Sequence, residues 1–69
     1  MNGFAERLKL LRIENKLTQE QLSKEVGVAQ SAIAFWESKA RVPSLDMAIA
    51  FAKYFNVSLD YLAGLTDKK

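Results

Sequence analysis

The sequence predicts an all-α fold, five short helices packed into one bundle. Three observations lead there. No segment alternates apolar and polar residues for long enough to make a half-buried strand. Apolar residues recur instead at the spacing that lines one face of a helix. The segments that carry this spacing are bracketed by start residues (Thr18, Ser44, Ser58) and stop residues (Gly27, Asn56, Gly64). With 69 residues and no repeat, linker or low-complexity tract, one domain over 1–69 is expected. A core this small leaves a net stability of about 3–5 kcal/mol.

The first helix is expected from Asn2 to Asn15, with Phe4, Leu8 and Leu11 as its core stripe. Arg7, Lys9, Arg12 and Lys16 make this region basic, and Leu17 re-enters the core. The second helix begins at Thr18. Thr18 and Gln21 form a capping box, in which each side chain serves the other's backbone N–H. Leu22 and Val26 supply its buried face, and Gly27 stops it in the left-handed conformation.

After a turn through Val28 and Ala29, a third helix is expected from Gln30 to Ser38, with Ile33 and Trp36 pointing inward. A loop over Lys39 to Val42 ends at Pro43. Ser44 caps a fourth helix, Leu45 to Phe55, which Asn56 closes. Ser58 caps a short fifth helix, Leu59 to Ala63, ending at Gly64. The tail from Leu65 to Lys69 is expected to be loose. Trp36, Phe55 and Tyr61 read as core residues rather than a ligand box. On the fourth helix, Met47, Phe51 and Tyr54 read as a second apolar stripe beside Leu45, Ala48, Ile49, Ala52 and Phe55. A helix apolar on two faces meets two partners, here the fifth helix or a second subunit.

Composition removes whole classes of function. The chain has no cysteine, hence no disulfide and no thiolate metal site. It has no histidine, the commonest general base and metal ligand. Its eight carboxylates show no paired arrangement, so neither an enzyme nor a metal or cofactor site is expected. No apolar run reaches the roughly 20 residues of a membrane span. Met1 to Phe4 lacks a basic start before an apolar stretch, so a cytoplasmic protein without a signal peptide is expected. A net charge of +2 is mildly basic, which permits nucleic-acid binding without requiring it.

Two short helices joined by a tight turn containing Gly form a helix-turn-helix unit, which the sequence supplies over 18–38. In that unit the first helix lies across the DNA backbone and the second enters the major groove. The residue string is more specific than the helix pattern. Leu17-Thr18-Gln19-Glu20-Gln21-Leu22, Val26-Gly27-Val28, Ile33, Trp36-Glu37, Pro43-Ser44-Leu45 and Val57-Ser58-Leu59-Asp60-Tyr61-Leu62 closely resemble the phage repressor and Cro-type helix-turn-helix family. The resemblance runs from Phe4 to Gly64. It implies a lambda-repressor-like five-helix bundle that binds operator DNA.

The resemblance also implies roles for individual residues. Gln19 matches a glutamine that touches a phosphate and braces the residue reading the first base. Gln30 and Ser31 match base-reading positions. A Gln pairs with adenine through two hydrogen bonds, and a Ser accommodates several bases. Lys39 and Arg41 match a loop that faces phosphates and so positions without reading sequence. Arg12 and Glu37 match a structural ion pair between the first and third helices.

Ala34 and Phe35 depart from the pattern, since similar proteins carry polar or basic residues there. Phe35 lies one turn beyond Ser31, so it projects from the same face. An exposed Phe there suits a thymine methyl, a partner protein, or the helix surface. Ala29 is a second departure: it lacks the hydroxyl that caps the third helix in many relatives, a loss of about 1 kcal/mol.

The leading expectation is therefore a sequence-specific regulator of transcription on double-stranded DNA. It is expected to work as a homodimer and to repress by occupying its operator, with no small-molecule effector evident. The alternative is a protein-interaction module of the same fold, such as an antitoxin-like partner. Salt-sensitive DNA affinity separates the two.

Overall fold

A computed structural model describes residues 3–38 and 41–69. Its helices are α1 (Phe4–Glu14), α2 (Gln19–Val26), α3 (Gln30–Glu37), α4 (Leu45–Phe55) and α5 (Leu59–Leu62), with no strand among the described residues. Their boundaries follow local chemistry. Thr18 Oγ1 accepts the Gln21 N–H at 3.0 Å, and Gln21 Oε1 accepts the Thr18 N–H at 2.8 Å. This completes the capping box and starts α2. Ser44 Oγ accepts from Met47 N at 3.2 Å and Ser58 Oγ from Tyr61 N at 3.0 Å, starting α4 and α5 in the same way.

Gly27 ends α2 at φ 78°, the left-handed region that favours glycine. A Cβ there would meet nothing within 4 Å, so the backbone angle alone selects the residue. Asn56 closes α4 at φ 56°. Helix α1 starts two residues later than expected, because Gly3 turns left-handed at φ 84° ahead of it. A Cβ on Gly3 would lie 3.3 Å from the Gly64 Cα, so this turn lets the chain's two ends come together.

The core gathers around Phe51. Leu8, Leu22, Ile33, Phe51 and Leu62 are fully buried, one or more from each helix. Trp36 meets the Phe51 ring edge to face, with centroids 5.6 Å apart, and Phe4 approaches it at 6.2 Å. Trp36 and Phe55 pack partly buried against this cluster and Tyr61 lies within it, as expected of core residues.

Two expectations are corrected. The split of α4 into two stripes fails, because Phe51 is buried together with Ala48 and Ala52. Three residues after Ala48 and four before Phe55, it lies on their face, and the two small alanines leave room for its ring. Leu45, assigned to the core stripe, is 60% exposed on the first turn. Tyr54 leaves the stripe altogether. Its hydroxyl donates to Glu25 Oε1 on α2 at 3.3 Å, and its ring meets Phe55 edge to face at 5.0 Å. Of the stripe that suggested a second subunit, Phe51 and part of Met47 are taken up within the chain, while Tyr54 stays 39% exposed.

The tail is also not loose. Ser58 N donates to Lys69 O at 2.8 Å and Leu65 N to Asp60 O at 2.9 Å. Arg7 pairs with Asp67 at 2.9 Å, and Lys69 pairs with Glu14 at 3.0 Å. The Arg7 guanidinium lies 4.2 Å from the centre of the Tyr61 ring. Its pKa is raised, first by the hydrogen bond to Asp67 and then by Tyr61. The two ion pairs join residues 60 and 55 positions apart, so no local pattern announces them.

Candidate nucleic-acid interface

Helices α2 and α3 pack directly on each other through Leu22 and Ile33. Val26 and Val28 pack against the same core beside the Gly27 turn. The turn is closed by Ser23 O, which accepts the N–H groups of Gly27 at 2.9 Å and Val28 at 3.0 Å. This tight turn sets the first turn of α3 just beyond the end of α2, with Gln30 and Ser31 exposed on it.

One flank of α3 is fastened by Glu37, whose side chain is only 4% exposed. Its Oε2 accepts Arg12 Nε at 2.7 Å, and its Oε1 accepts Arg12 Nη2 at 3.0 Å. Arg12 Nη1 donates to Leu17 O at 2.8 Å. The guanidinium's pKa is raised, first by its hydrogen bonding to Glu37, with burial opposing. Gln19 Nε2 donates to Glu37 Oε1 at 3.2 Å. One carboxylate thus holds the end of α1, the start of α2 and the end of α3 together. The bond Gln19 makes runs to Glu37, at the far end of α3 from Gln30.

The opposite flank is exposed. Gln30 and Ser31 stand in solvent on the first turn of α3, and Ala34 is half-buried one turn on. Ala29 occupies the N-cap with no side-chain hydrogen bond, as its methyl dictates. Phe35 is 43% exposed, on the face of Ser31 where helical spacing places it. The Arg41 guanidinium lies 5.1 Å from the centre of the Phe35 ring, within the range of a cation–π contact. Together with Ser31, Ala32, Trp36, Val42 and Ser44, this pair lines a depression of about 380 Å³. Lys39 lies outside the described residues.

The structure therefore brings Ser31, Phe35 and Arg41 to one depression, with Gln30 and Ala34 on the same helix. Gln19 sits with Glu37 on the other flank. Sequence reasoning missed the Arg41–Phe35 stack and the parts of Val42 and Ser44 in the depression. The only available signal was an exposed aromatic followed by a loop arginine, and whether they meet depends on the loop's path. Among the described residues no group of acids is placed to hold a metal ion. None of their helices is long and apolar enough to cross a membrane.

An α2–turn–α3 unit on a five-helix bundle, with the first turn of α3 exposed, defines a class, and comparison with known proteins identifies it. The chain belongs to the helix-turn-helix family, whose model matches residues 8–62. It is 41% identical over 64 residues to YobD of Bacillus subtilis (strain 168), described as an uncharacterized HTH-type transcriptional regulator. That match covers 93% of this chain and 57% of YobD. It is 39% identical over 59 residues to the HTH-type transcriptional activator BcrR of Enterococcus faecalis, covering 86% of this chain and 29% of BcrR. The chain thus spans little over half of one relative and under a third of the other. Its fold matches the crystal structure of the P22 c2 repressor in complex with synthetic operator 9T, with a TM-score of 0.81. There the identity is 34%, over 90% of this chain and 94% of that one.

Proposed function

We propose that the chain is a sequence-specific regulator of transcription that binds double-stranded DNA through α3. The observation that carries this is the exposed first turn of α3, set just after the end of α2 on a bundle that matches an operator-bound repressor. In this reading α3 enters the major groove, where its N-terminal residues reach base edges. Gln30 and Ser31 read bases, and Ala34 and Phe35 contribute apolar contact. Gln19, Lys39 and Arg41 face phosphates, which position the protein without specifying sequence. The chain works in the cytoplasm as a homodimer and represses by occupying its site. Binding rather than catalysis is its activity, in keeping with a chain that lacks histidine and cysteine.

Selection of bound sequences from a random duplex library at moderate salt tests this. The expected result is a two-fold motif with half-sites about 10 bp apart. A lone half-site would remove the dimer, and no enrichment would remove the reading itself. A reporter carrying the selected site then separates repression from activation, the activity for which BcrR is named.

The exposure of Phe35 and Val42 favours a second reading, a protein-interaction module. Salt titration separates the two. Neutralising Z phosphates gives a log–log slope of about −0.9Z with salt, whereas a protein-binding module has no such DNA affinity.

A further inference from the structure

We propose that Phe35 reads a thymine methyl and that Arg41 is the positioning residue that sets its ring, so that a base contact and a phosphate contact form one coupled unit. The proposal rests on the DNA-binding reading above.

Phe35 is a large aromatic held at the surface of the helix face that carries Ser31, whereas Phe4, Phe51 and Tyr61 are buried. On the major-groove edges of the base pairs, the thymine C5-methyl is the apolar group available to such a ring. Among the described residues, the depression beside Phe35 is lined by one cation, Arg41, by no carboxylate, and by the hydroxyls of Ser31 and Ser44. That set of groups suits an anionic partner better than a basic or purely apolar one.

The closeness of the two side chains supplies the coupling. Arg41 lies over the ring with its guanidinium carbon 5.1 Å from the ring centre. A guanidinium that stacks through its flat face keeps its in-plane N–H donors directed outward, where they suit phosphate oxygens. Arg41 can therefore hold the ring and grip the backbone beside it at once. A lysine ammonium keeps the charge but is a compact point charge without a stacking plane.

The test uses the sequence selected from the random library. Each thymine is replaced singly by uracil, which removes only the methyl, and affinities are compared at fixed salt. For the unmodified chain, one position per half-site is expected to weaken by about four-fold, the worth of one buried methyl group. Phe35→Ala is expected to bind the thymine and uracil duplexes equally, and Phe35→Leu to keep part of the difference. Arg41→Lys is expected to keep the salt slope yet lose most of the methyl discrimination.

A selected site without thymine under α3, a chain indifferent to every methyl, or discrimination that survives Phe35→Ala would overturn the role of Phe35. Full discrimination in Arg41→Lys would overturn the coupling. A chain that selects no sequence at all overturns the DNA-binding reading and this proposal with it. Sequence selection without methyl dependence overturns this proposal alone. Circular dichroism of each variant confirms that the exposed substitutions leave the bundle folded.

Discussion

Each flank of α3 is engaged by an arginine from another part of the chain, and the two contacts do different things. Arg12 meets Glu37 in a two-pronged ion pair, with side chains 13% and 4% exposed. Arg41 lies over the exposed Phe35 ring, its guanidinium carbon 5.1 Å from the ring centre. The first contact is desolvated, so each charge depends on the other. The second is exposed, so breaking it leaves no desolvated charge behind, and both side chains remain open to a bound partner. Burial, rather than the type of residue, makes one arginine architectural and leaves the other for recognition.

Breaking the buried contact should have the largest effect. Arg12→Ala leaves the Glu37 carboxylate without its main partner, and losing one member of a buried pair costs about 3–5 kcal/mol. That equals the whole stability expected of a core this small, about 3–5 kcal/mol. Thermal melting of Arg12→Ala should therefore show a largely unfolded chain at 25 °C. The double variant Arg12→Met/Glu37→Leu should recover much of the loss, because no unpaired charge remains. A single variant that melts like the parent would show the pair to be dispensable.

Substitution at the exposed flank should leave stability within about 0.5 kcal/mol and change DNA binding instead. Gln30→Ala is expected to weaken binding to the selected site by about 1–3 kcal/mol and to relax one base position. Equal preference before and after would remove Gln30 from the base-reading set. Arg41→Ala is expected to weaken every duplex, the selected site most because the Phe35 ring loses its support, and to lower the salt slope by roughly one. An unchanged slope would detach Arg41 from phosphate.

The smallest expected effect comes from the cap that α3 lacks. Ala29 has the extended N-cap backbone but no side-chain acceptor. Ala29→Ser should raise stability by about 1 kcal/mol, read as a higher midpoint in urea. If DNA affinity falls at the same time, the open N-terminus of α3 serves a bound phosphate. If affinity is unchanged, the alanine is merely a missing cap.

The elements were legible where the signal was local. Helix α4 runs Leu45–Phe55 because Ser44 starts it and Asn56 ends it, each within one turn of the boundary. The capping box at Thr18 is likewise complete within four residues. The ion pair of Arg12 with Glu37 was legible only through family resemblance, since the two lie 25 residues apart. Gln30 and Ser31 were placed on an exposed helix start, and there they lie. Beside them, the stacking of Arg41 on Phe35 was not legible, because it depends on the path of the loop that returns the chain from α3.

What the chain carries in its own residue order is its helices, their caps and the left-handed stops at Gly27 and Asn56. These are set by backbone angles and hydrogen bonds within a few residues. Three-dimensional packing decided everything that spans the chain. It drew Phe51 rather than Leu45 into the core and turned Tyr54 toward Glu25. It pinned the tail to α1 through Arg7 and Glu14 and laid Arg41 over Phe35. Helical periodicity states which side chains share a face. Only the neighbouring elements determine which face loses its water, and that loss fixes the energy of every contact made there.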